Sequence, residues 1–117
     1  MKTTFIDVSI RSIGAVHLVR LDGVLDAAAA GTVRVALNDL LASGAQRVVL
    51  DLTATERIDS TGLGALVTAL KTAREKEAEL VLSGLNASVR SVVELTRLHR
   101  VFDIFAEPRV AIAELQS

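Results

Sequence analysis

"RVVLDLTATERIDSTGLGALVTALK", Arg47–Lys71, sets two periodicities against each other within 25 residues. Its first part, Arg47 to Leu52, carries consecutive apolar, β-branched residues. That pattern belongs to a strand covered on both faces, as in a parallel or mixed sheet. Its last part places Leu63, Leu66, Val67 and Leu70 on one helical stripe. Between them lie the expected loop "TATERID" and the polar start Asp59-Ser60-Thr61, which runs into Gly62-Leu63-Gly64. Strand, loop and helix in this order make half of a crossover unit, so parallel strand pairing is expected.

Working outward, the same alternation repeats. "ELVLSG" reads as a second buried strand at Leu80, Val81 and Leu82. A helix follows from about Asn86 to His99, with Val89, Val92, Val93 and Leu95 as its apolar surface. "VFDIFAE" reads as a short last strand, and Pro108 suits the first turn of a closing helix that reaches Leu115. The run "KTAREKEAE" reads as a solvated helix tail. Upstream, "DAAAAGTVRVALNDLLASG" spaces Val33, Leu37, Leu40 and Leu41 as a helix from about Asp26 to the Ser43-Gly44 stop, weakened in its first turns by Gly31. Before it, Thr4–Arg11 and Ala15–Leu21 alternate around "RSIG", which predicts a β-hairpin whose second strand ends at Gly23. The expected order is β-β-α-β-α-β-α-β-α: a mixed, mostly parallel sheet with an N-terminal hairpin and about four helices, forming one domain over residues 1–117. In such sheets functional loops gather at the carboxyl ends of the parallel strands, and the loop carrying Ser60 follows one of them.

Composition narrows the chemistry. Half of the 117 residues are hydrophobic and 23% are charged, as in a compact globular protein. The net charge of −1 lacks the basic footprint of a nucleic-acid binder. With no cysteine there are no disulfides, thiolate nucleophiles or Cys-based zinc sites. The N-terminus has no uninterrupted apolar stretch for a signal peptide, and no segment approaches the roughly 20 apolar residues of a membrane span. A cytoplasmic protein without membrane insertion is expected.

Asp59-Ser60-Thr61-Gly62-Leu63-Gly64 admits several chemistries. Ser, Thr and Asp are favoured helix N-caps, and the glycines suit close helix–sheet packing. A phosphate cradle fails on its motif. Walker A requires Lys-Ser/Thr after its second glycine, and the dinucleotide fingerprint requires glycine where Val67 stands. A serine nucleophile lacks its elbow, since Ile58 takes the place of the preceding glycine. It also lacks a base: only His17, within a strand pattern, and His99, at a helix end, are present. Two readings remain: a helix cap alone, and a hydroxyl modified by another protein, which needs no base, metal or cofactor in this chain.

The residues carry a family likeness. "IDSTGLGALV" resembles the signature of the STAS domain of the anti-sigma factor antagonists of bacterial partner-switching systems: an acidic residue, a phosphorylatable Ser, a small residue, then Gly-Leu-Gly. "VVLDLTATERIDSTGLG", "RLDGVLDAAAA" and "LVLSGLNASVRSVVELTRLHRVFDIF" extend the likeness over nearly the whole chain. The resemblance implies a STAS-like fold. It implies that Ser60 is the phosphoacceptor, with Thr61 as second choice, and that Asp26, Asp59, Ser60, Thr61, Gly62, Leu63 and Gly64 meet the partner. By itself Asp26 reads equally as the N-cap of the first helix, and Asp59 as a cap or as a group orienting the hydroxyl. Ala27–Ala30 departs from relatives, where polar residues are common. The implied function is a non-enzymatic module without cofactors. Unphosphorylated, it captures an anti-sigma factor that is also a serine kinase, freeing a sigma factor; phosphorylated by that kinase with ATP, it is released. A serine phosphatase resets it. The alternative is a non-phosphorylated STAS scaffold, as in a lipid-transport ATP-binding-cassette complex or a stressosome-like assembly. The exposed face of the second helix is the expected contact surface.

Overall fold

The structure, a computed structural model, describes residues 6–116. Elements follow in the order β1 (Asp7–Ile13), β2 (Val16–Leu25), α1 (Ala27–Ala42), β3 (Arg47–Asp51), β4 (Thr55–Ile58), α2 (Ser60–Glu75), β5 (Glu79–Ser83), α3 (Ala87–Leu95), β6 (Ile104–Phe105) and α4 (Pro108–Gln116), with a 3₁₀ turn at Leu98–Arg100 between α3 and β6. The six strands form one sheet in the order β1-β2-β3-β5-β6, with β4 also paired to β2. Among the described residues only the β1–β2 hairpin is antiparallel; the other pairings are parallel. The mixed sheet with an N-terminal hairpin and four α-helices is as expected.

Both faces of the sheet are covered, which explains the uninterrupted apolar runs of β3 and β5. Val48 and Leu50 of β3, Leu80 and Leu82 of β5, and Val19, Leu21 and Leu25 of β2 point into the main core. There they meet Val33, Leu37 and Leu41 of α1, Leu63, Leu66 and Leu70 of α2, and Val89 and Val93 of α3. Val16, Val49 and Val81 point the other way and pack on Ala111 and Leu115 of α4. Val48, Val49 and Leu50 are each fully buried, as a strand between two layers requires.

Six sequence expectations are corrected. The hairpin turn takes only the glycine of "RSIG": β1 continues through Arg11, Ser12 and Ile13, and the chain reverses at Gly14-Ala15, where Gly14 adopts φ 60°. Thr4 and Phe5, at the start of the expected first strand, lie outside the described residues. Gly23 does not end β2. At φ 130° it bends the strand, which runs on to Leu25. That extension recruits the fourth strand, read in sequence as the loop "TATERID". Thr55 pairs with Gly23, but Arg57 pairs with Val24, so Glu56 is left as a bulge. The bulge puts Thr55 and Ile58 inside and two charged residues outside, a pattern without the period of a strand. Next, α3 stops at Leu95 and not near His99, because Thr96 caps it and Arg97 takes the left-handed conformation at φ 62°. Leu95 is 82% exposed and not part of the apolar stripe, since it stands two residues beyond buried Val93, on the far side of the helix. The last strand is confined to Ile104–Phe105.

Candidate functional site

Parallel pairing places the site. Leu25, the last residue of β2, is in register with Ile58, the last residue of β4. The next residues, Asp26 and Asp59, therefore emerge side by side at the carboxyl end of the sheet, and each starts a helix. Asp26 Oδ1 accepts from Ala29 N at 3.1 Å, and Asp59 Oδ1 accepts from Gly62 N at 2.8 Å. The backbone N–H of Asp59 also donates to Leu25 O at 3.2 Å, which ties the start of α2 to the end of β2.

Capping of α2 thus falls to Asp59, and the hydroxyls have no such duty. Ser60 is the first residue of α2 and is exposed; Thr61 follows it and is exposed. Neither hydroxyl has a hydrogen-bond partner among the described residues. Asp59, engaged with Gly62 N, does not hold the Ser60 hydroxyl. Asp26 in the same way caps α1.

The two glycines of the motif differ. A Cβ on Gly62 would run into the carbonyl oxygen of Leu25, so only glycine lets the first turn of α2 lie against β2. A Cβ on Gly64 would meet nothing within 4 Å, and Gly64 is exposed. Leu63 between them is 2% exposed and belongs to the core. Ser60, Gly64, Thr68 and Lys71 succeed one another on the outward side of α2. Beside them the first turn of α1 presents Ala27 and Ala28, both exposed and both without polar groups.

Two residues that sequence reading did not single out hold the surrounding loops. Asn86 caps α3 through Val89 N at 2.8 Å and donates to the carbonyls of Thr55 and Glu56, each at 3.1 Å. It thereby clamps the β5–α3 loop to β4. Asp51 is buried and accepts from Thr53 N at 3.0 Å and Thr53 Oγ1 at 2.6 Å, which forms the corner between β3 and β4. The sequence signal for Asn86 was its place before a helical run; Asp51 gave none.

His17 and His99 do not join the site. His17 lies near the start of β2, eight residues before Leu25, or roughly 26 Å along an extended strand. Its Nδ1 is buried without a hydrogen-bond partner among the described residues. His99 is exposed in the 3₁₀ turn. No three His, Cys, Asp or Glu side chains among the described residues converge as a metal site. No described helix is long and apolar enough to cross a membrane.

Comparison with known proteins agrees with this fold. The family model of the STAS domain matches residues 7–111. The anti-sigma-B factor antagonist of Listeria monocytogenes serovar 1/2a is 37% identical over 82 residues, covering 70% of this chain and 72% of that protein. The crystal structure of an anti-sigma factor antagonist from Mycobacterium paratuberculosis superposes with a TM-score of 0.88 at 20% identity, covering 96% of this chain and 95% of that one. The cell fate determinant SpoIIAA of Bacillus, solved in its phosphorylated form, superposes with a TM-score of 0.74 at 18% identity, covering 93% and 99%.

Proposed function

The chain belongs to the STAS domain family, and we propose that it acts as an anti-sigma factor antagonist switched by phosphorylation of Ser60. The observation that carries this reading is the division of labour at the start of α2. Asp59 makes the cap, and Ser60 presents an exposed hydroxyl with no partner of its own. Its relatives named as anti-sigma factor antagonists supply the class of partner.

In the proposed cycle the unphosphorylated domain binds an anti-sigma factor with serine kinase activity and so frees a sigma factor. The kinase then transfers the γ-phosphoryl group of ATP. The Ser60 Oγ–phosphorus bond forms, the bond to the β-phosphate bridging oxygen breaks, ADP leaves, and the hydroxyl proton passes to a base of the kinase. The product carries about −1.5 to −2 charges at the positive end of α2, where the helix N-terminus offsets them. The fold has no reason to change, and the phosphorylated Bacillus SpoIIAA keeps the same architecture. The partner loses instead: bulk and charge appear in the middle of its footprint, beside the carboxylates of Asp26 and Asp59. A serine phosphatase reverses the step. Chemistry in this chain is not required, in keeping with the distance of His17 from the site.

Incubation with ATP and the candidate anti-sigma kinase tests the assignment. Intact-mass measurement should show one added phosphate, located to Ser60 by fragmentation and absent in Ser60→Ala. Equal labelling of Ser60→Ala would move the site, with Thr61 the next candidate. Absence of both binding and labelling would favour a non-phosphorylated STAS scaffold.

A further inference from the structure

We propose that Gly64 controls access to the Ser60 hydroxyl: its missing side chain is the opening through which the phosphorylating kinase reaches Oγ. This rests on the assignment of Ser60 above and names a residue that governs the rate of its modification.

Helix geometry identifies which side chains can cover Ser60. On a helix, side chains lean toward the N-terminus and lie over the preceding turn, so a residue is covered by those three and four positions later. For Ser60 these are Leu63 and Gly64. Leu63 is turned into the core and is 2% exposed. Gly64 has no side chain to offer. One turn further, Thr68 would lean over Gly64, but its Oγ1 donates to Gly64 O at 3.0 Å and is folded onto the helix backbone. Ala27 and Ala28, at the start of the neighbouring helix, project no further than a methyl group. The hydroxyl therefore stands clear on the side facing away from the sheet.

Nothing among the described residues accounts for glycine at position 64. Its φ is not positive, and an added Cβ meets no atom within 4 Å. Glycine in a helix interior is less stable than alanine, so the fold alone would favour a side chain here. An unneeded glycine is not by itself informative, and Gly31 in α1 is another. Position 64 is set apart because any side chain there would lean directly toward the residue to be modified. Gly62 is the internal contrast, since Leu25 already requires it.

Steady-state phosphorylation by the anti-sigma kinase, with this protein as the varied substrate, tests the proposal on wild type, Gly64→Ala and Gly64→Leu, alongside thermal melts. Both variants should melt at or above the wild-type temperature. Catalytic efficiency on Ser60 should fall with side-chain size, about 10-fold for Ala and about 100-fold for Leu, given how steeply rates depend on reach and orientation. The loss should lie mainly in KM. Wild-type efficiency in Gly64→Leu would overturn the role of Gly64 while leaving Ser60 as the acceptor. A fall in efficiency that tracks a fall in melting temperature would also overturn it, by making the effect one of folding. Failure of the wild type to be phosphorylated would overturn both assignments together.

Discussion

At Asp59, side chain and main chain fasten the same point twice: Oδ1 receives Gly62 N while Asp59 N donates to Leu25 O. Removing the carboxylate leaves an uncapped helix start, so Asp59→Ala should lower stability by about 1 kcal/mol in urea unfolding. Ser60→Ala removes a hydroxyl without partners, and its unfolding free energy should stay within about 0.5 kcal/mol of wild type. That pair of measurements separates cap from acceptor. If Ser60→Ala were the more damaging of the two, the hydroxyl would be structural. The glycines allow a second comparison. Gly62→Ala forces α2 away from the Leu25 carbonyl and should cost about 1–3 kcal/mol as an overpacked contact. Gly64→Ala should instead stabilise by up to about 1 kcal/mol. Opposite signs from one substitution, two residues apart, follow from a backbone oxygen lying above one position and open space above the other.

At the scale of elements, the site is built by the way β2 outlasts β3. β3 pairs with His17–Arg20 and then leaves; β4 takes up the Gly23–Leu25 stretch and delivers Asp59 beside Asp26. Asn86 holds β4 from outside through two carbonyls while capping α3. Asn86→Ala should therefore cost about 1–2 kcal/mol and raise hydrogen exchange in α3 together with the segment around Thr55 and Glu56. Exchange rising in α3 alone would mean that the clamp on β4 carries nothing. These elements also show what a sequence reveals. The Val48–Leu50 and Leu80–Leu82 runs, the Leu63/Leu66/Leu70 stripe, and Asp26 and Asp59 ahead of helices declare themselves, because each is a local pattern with a local cause. β4 does not, because four residues with a bulge have no period and pair only where Gly23 bends β2 to meet them. The early end of α3 is hidden for a similar reason: Arg97 adopts a conformation usually left to glycine. The adjacency of Asp26 and Asp59, 33 residues apart in sequence, is a consequence of strand register. The family likeness implied only that both residues meet the partner; the pairing of Leu25 with Ile58 explains why they are neighbours.

For the molecule as a whole, the proposed switch separates stability from recognition. The core lies between the sheet and its helices, while Ser60 sits on the rim, above the caps and in contact with solvent. A charge placed there meets the helix N-terminus on one side and water on the other, so the folded state should hardly register it. A partner seated across the same helix start must desolvate that charge, and so the full effect falls on binding. The direct test is to measure the affinity of the anti-sigma kinase for the domain with Ser60 unmodified and with Ser60 phosphorylated, with a thermal melt of each form. The account predicts binding weakened by about 100-fold or more, equivalent to about 2.7 kcal/mol, with melting temperatures that nearly coincide. Equal affinity for the two forms would contradict it, as would a loss of affinity accompanied by unfolding of the phosphorylated domain.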